Sequence, residues 1–102
     1  MNKLLSVIFS GLLSSVAVAA LPTAPAEAGY VNSVRTCVNL RVRPFVGAGI
    51  INCLNRGTYL EVMTDRVGNP LYAVDGTGRG WYKVYIPAIG RSGWMAAEFV
   101  AW

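Results

Sequence analysis

The chain has no histidine, two cysteines and five acidic residues among its 102 positions. Without histidine, no unperturbed side chain titrates near neutrality, and a serine- or thiol-type hydrolase lacks its usual proton acceptor. Two cysteines with no histidine also leave too few soft ligands for a zinc site, so neither a metal nor a cofactor is expected. The acids are Glu27, Glu61, Asp65, Asp75 and Glu98. Asp65 and Asp75 stand in turn-forming sequence, where a short carboxylate bonds its own backbone. A carboxylate pair for glycoside hydrolysis is therefore not expected, and the chain reads as a non-enzyme.

Charge is scarce as well, at 14% of residues against 54% hydrophobic. The apolar excess lies at the start, where Lys3 precedes a charge-free run from Leu4 to Ala26. A basic residue, an apolar centre and the small residues Ala26-Glu27-Ala28 form the three regions of a secretory signal peptide. Residues 1–28 are read as that signal and residues 29–102 as one domain, with Ala17-Val18-Ala19 a second processing site inside the apolar run. A retained anchor is the other reading, because the run is long enough to span a bilayer. Gly11, Ser10, Ser14, Ser15, Pro22 and Pro25 make it a poor permanent span, and no cysteine near its end offers a lipid anchor. A secreted chain in the periplasm or on the cell surface, with no stable membrane insertion after cleavage, is the expectation. The net charge of +4 survives cleavage, since Lys3 and Glu27 leave together. It favours anionic surfaces mildly and selects no ligand.

Behind a signal peptide, an even number of cysteines implies a disulfide. Only Cys37–Cys53 can form within the chain, closing a loop of about 15 residues worth roughly 3 kcal/mol by chain entropy. A domain this small benefits from such a staple.

Beyond residue 29 no helical pattern of useful length and no internal repeat is evident. Val38, Leu40 and Val42 alternate with Asn39, Arg41 and Arg43, the signature of a half-buried strand. Pro44 stops pairing, and Phe45 to Gly49 reads as a loop. Further strands are expected over 50–54, 58–64, 71–74, 81–86 and 91–95, with a weak one entering at 30–36. Asn55-Arg56-Gly57, 65–70 and the glycine-rich 75–80 separate them as turns. Ala96 to Phe99 reads as a single helical or 3-10 turn. Short strands at close spacing predict an all-β barrel or sandwich.

Val38-Asn39-Leu40-Arg41, Pro44, the pair Ile50-Ile51 and Leu54 followed by Gly57 resemble the opening of bacterial SH3-like domains. Gly80-Trp81-Tyr82-Lys83-Val84 is similar to that family's Gly-Trp-x-Lys-Val strand, and Gly93-Trp94-Met95 to its closing Gly-Trp-Val. The resemblance implies a small SH3-like barrel of about five to seven short strands with a terminal 3-10 turn. It departs at Val42-Arg43, which replace Ser-Gly. It departs again at Ala48, where a ring is usual, and in the length of 65–80. Bacterial SH3-like domains commonly accompany cell-wall hydrolases, which implies a binding role toward peptidoglycan.

The strand expected over 81–86 supplies the candidate surface. If Val84 and Ile86 face inward with Tyr82, then Trp81, Lys83 and Tyr85 form an aromatic and basic stripe outside. Exposed rings beside cations suit glycan or peptide ligands. Arg43, Phe45, Tyr72, Arg79, Trp81, Lys83 and Tyr85 make up the expected contact set. The plainer alternative is that Trp81 packs under a loop to close the domain. Trp94 is assigned to the core, and Arg41 to bracing its loop through backbone carbonyls. The expected product is a monomeric, non-catalytic module that binds cell-wall peptidoglycan. The alternative is an inhibitor, subunit or exported factor docking on an extracytoplasmic protein through 65–80. Nucleic-acid binding fits the charge and the rings, but export separates the protein from that ligand.

Overall fold

The computed structural model describes residues 27–34 and 36–102. Most of the expected signal segment lies outside them, whereas Glu27 and Ala28 belong to the first strand. Among the described residues eight strands form one antiparallel sheet: β1 (Glu27–Val31), β2 (Cys37–Arg41), β3 (Ile50–Asn55), β4 (Tyr59–Val62), β5 (Tyr72–Val74), β6 (Gly80–Ile86), β7 (Arg91–Ala96) and β8 (Val100–Ala101). A 3-10 turn, Ala97–Phe99, links the last two. Among the described residues no helix is long and apolar enough to cross a membrane.

The strands neighbour one another in the order β3-β2-β7-β6-β4-β1-β8, with β5 also paired to β6. Both β4 and β5 lie along one edge of β6. Val62 opposes Val84 and Tyr72 opposes Tyr82, so residues 63–71 are a hairpin excursion let into a single line of pairing. A bridge between Thr64 and Pro70 closes its neck. The long 65–80 segment is therefore two tight hairpin loops flanking a three-residue strand.

One face of the sheet carries the core. Val31, Leu40, Leu60, Val62, Val84, Ile86 and Met95 are fully buried there, with Val38 and Leu54 beside them. These are the apolar phases of the alternations in β2, β4 and β6, brought together from six strands. Transfer of each such side chain from water contributes about 1.5–3 kcal/mol. Gly93 belongs to the same face: a Cβ there would stand 2.8 Å from the Arg41 carbonyl and 2.9 Å from Leu40 and Ile51. Its lack of a side chain lets β2 and β7 meet.

The Cys37–Cys53 disulfide ties β2 to β3 diagonally, with Cα atoms 5.4 Å apart. Cys37 opposes Asn55 and Cys53 opposes Asn39 in the ladder. The first strand ends earlier than its alternation suggested. Val31 donates its N–H to Thr58 and accepts from Gly57, and then Asn32 N–H turns to the Phe99 carbonyl. The chain changes partners there and stops being a strand.

Candidate functional site

Two five-residue turns share one design. In Asp65-Arg66-Val67-Gly68-Asn69 the Asp65 N–H donates to the Asn69 carbonyl, and Gly68 N–H donates to the Asp65 carbonyl. The Asp65 Oδ1 accepts the Val67 and Asn69 N–H groups at 3.0 Å each. In Asp75-Gly76-Thr77-Gly78-Arg79 every one of these bonds recurs at the matching position. Gly68 and Gly78 hold φ of +92° and +88°, a conformation that a Cβ disfavours. Asp-x-x-Gly-x is thus a short internal repeat, ten residues apart, contrary to the expectation of none.

The second turn does more than the first. Asp75 Oδ1 also accepts the Thr77 hydroxyl at 2.6 Å, and Oδ2 accepts the Trp81 indole N–H at 2.9 Å. The Thr77 hydroxyl and then the Trp81 N–H hold the Asp75 carboxyl well below the usual carboxylate range. Trp81 points away from the core cluster yet is only 2% exposed. Of the two readings of Trp81, the structure takes the plainer one: it is packed under the turn that bonds it rather than on an exposed stripe, while Lys83 and Tyr85 are half-buried on the same face. Alternation assigned the face correctly and could not show that a loop covers its end.

Around Trp81 lies a cleft of about 500 Å³. Ala96 of β7 opposes Trp81 directly and is buried beside it. Asn39 and Arg41 of β2 form one wall, and Arg79 and Glu98 form the other end. Val34 and Val46 contribute an apolar rim. Arg79 donates from Nε and Nη2 to Glu98 Oε1, at 3.2 and 2.9 Å. Its guanidinium also stands 6.0 Å from the Trp81 ring centroid, within reach of a cation–π contact. Arg41 Nη1 donates to the Ala48 carbonyl at 2.8 Å, the loop-bracing role expected from sequence. That bond leaves other donors of the guanidinium for the cleft. The Asn39 carboxamide has no side-chain partner among the described residues.

The neighbouring row on this face is Arg41–Trp94–Lys83, three residues directly opposite one another across β2, β7 and β6. Lys83 Nζ stands 5.5 Å from the Trp94 ring. Trp94 is half-buried on this face rather than in the core. Gly93 and Met95 take the inward positions on β7, and the pleat turns Trp94 outward.

Of the expected contact residues, Arg79 and Trp81 line the cleft. Arg43 and Phe45 are exposed on the loop that also carries Val46, and Lys83 lies one row away. Tyr85 opposes Glu61 and Ser92 further along β6. Tyr72 packs its ring on Tyr82 at 5.0 Å, and Tyr82 meets Trp102 edge-on at 5.3 Å. Those three rings form a separate group on the core side of β6, away from the cleft. Asn39, Ala96 and Glu98 were not expected. Asn39 had a signal, since it alternates outward with Arg41, but the residues that share the cleft with it, Arg79, Trp81, Ala96 and Glu98, lie 40 or more residues further along the chain. No family model, curated protein or solved structure matches the chain.

Proposed function

We propose that this chain is an exported, non-catalytic binding module of the cell envelope that holds peptidoglycan in the Trp81 cleft. The observation that carries the reading is the cleft itself, whose lining brings together two arginines, a carboxamide unpartnered among the described residues, and the buried Trp81 and Ala96. Guanidinium groups and an amide recognise carbonyls and carboxylates, and a buried indole supplies apolar contact. A disulfide between neighbouring strands suits an oxidising compartment. The antiparallel order and terminal 3-10 turn support an SH3-like barrel. The four acids of residues 29–102 support binding over hydrolysis: Asp65 and Asp75 are engaged by their own turns, Glu61 by the Tyr59 hydroxyl and Glu98 by Arg79.

The test is co-sedimentation of the oxidised exported chain with purified peptidoglycan at low and high salt. Salt-resistant pelleting that falls with Asn39→Ala and Arg79→Ala, and persists with Tyr72→Ala on the other face, is expected. Pelleting abolished by moderate salt would leave only the attraction of a +4 protein to an anionic polymer. A second reading, docking on one extracytoplasmic protein, draws on Val67, 79% exposed at the tip of the 64–70 excursion. Absence of pelleting together with saturable, Val67-dependent binding to a single protein would favour it.

A further inference from the structure

We propose that the cleft reads the free carboxylate of a short peptide, and that Glu98 occupies the position of that carboxylate when the cleft is empty. This rests on the reading of the cleft as the ligand site and adds the chemistry of the ligand and a competitor built into the fold. The first observation is the Arg79–Glu98 pair. Both Nε and Nη2 of Arg79 converge on Glu98 Oε1, so the fork that would grip a ligand carboxylate already grips one from the chain. The pair is open to solvent, with Arg79 37% and Glu98 55% exposed in their side chains. An exposed pair of this kind contributes little to stability, so an incoming carboxylate can displace it at small cost.

The second observation is the opposite wall. Arg41 is anchored through Nη1 to Ala48, which fixes a second guanidinium beside the cleft without using all its donors. Asn39 adds an amide that both donates and accepts, the complement of a peptide unit rather than of a phosphate or a simple anion. Ala96 and Val46 add apolar lining. A carboxylate at the Arg79 end, with its preceding peptide bond against Asn39, therefore satisfies polar groups that are unpartnered among the described residues or held only by an exposed ion pair. Arg79 in turn is positioned by the Asp75 turn, whose Oδ1 accepts its backbone N–H at 3.1 Å.

The probes are N-acetyl-alanyl-alanine and the same dipeptide as its C-terminal amide. Each is titrated into the 15N-labelled, oxidised exported chain, with the Trp81 indole N–H, assigned through Trp81→Phe, as reporter. The acid is expected to shift that signal with at least about tenfold higher affinity than the amide, as a charge-assisted fork requires. Glu98→Gln is expected to tighten the acid about threefold by weakening the competitor, and Arg79→Lys to weaken it. An unchanged urea midpoint and an unmoved Trp81 signal in the ligand-free variants show that the site is still built. Equal affinity for acid and amide overturns the proposal, as does a Glu98→Gln variant that binds the acid no better than the parent chain. If neither probe binds while peptidoglycan pelleting still depends on Asn39, the carboxylate inference falls and the envelope reading stands. If pelleting is also indifferent to Asn39 and Arg79, both fall.

Discussion

Asp75 and Trp81 are joined by a 2.9 Å hydrogen bond from the indole N–H to Oδ2, and this bond couples the shape of a surface turn to the floor of the cleft. Asp75→Asn keeps an acceptor for the turn but replaces Oδ2 with a donor or misdirects the amide. The variant is expected to unfold at lower urea and to show an altered Trp81 indole signal. The pH dependence has a definite sign. A carboxyl held below its ordinary value stabilises the fold above the unfolded pKa and loses that contribution as pH falls toward the folded one. The gap between the parent chain and Asp75→Asn is therefore expected to be full at neutral pH and to narrow below about pH 4, as checked by urea midpoints across that range.

Asp65 has the same turn without the indole. Asp65→Ala is expected to cost about 1 kcal/mol for the lost turn bonds and to leave the Trp81 signal in place. Asp75→Ala is expected to move that signal. Paired urea titrations and indole spectra distinguish a turn that only closes a hairpin from one that also builds a site.

Two glycines are held for different reasons. At Gly93 an added Cβ meets the Arg41 carbonyl and the Leu40 and Ile51 side chains at 2.8–2.9 Å. Gly93→Ala is expected to lose about 1–3 kcal/mol through overpacking, with exchange protection lost where β2 meets β7. At Gly68 nothing lies within 4 Å, but φ is +92°. Gly68→Ala is expected to lose about 1 kcal/mol from backbone strain alone, and hydrogen exchange in β2 and β7 should not change.

Reduction of Cys37–Cys53, or the double substitution Cys37→Ser/Cys53→Ser, is expected to cost about 3 kcal/mol. A urea titration with and without reductant measures it. Because Cys37 lines the cleft, the reduced chain should also bind less of whatever the cleft holds. A stability loss with unchanged binding would separate the staple from the site.

Much of the fold is legible in the chain. The alternation Val38, Leu40 against Asn39, Arg41 and that of Tyr59-Leu60-Glu61-Val62 assign inward and outward faces, because the pleat has a period of two residues. Asp and Gly at fixed offsets mark the turns. Cysteine number leaves one intramolecular pairing, and Arg41 behaves as the loop brace its position suggests. Local rules sufficed for these because each depends on neighbours in sequence.

Tertiary structure alone decided the rest. Period-two logic says which way Trp81 points and is silent on whether a loop covers it, and only the structure decided for the covered alternative. Trp94 could be placed only by knowing that Gly93 and Met95 face the core. The cleft requires β2 beside β7, with Arg41 opposite Trp94. That pairing is non-local, and nothing in either segment specifies the other. The chemistry of the site therefore comes from residues that each look ordinary alone: a strand asparagine, a small alanine and an acid in a terminal turn.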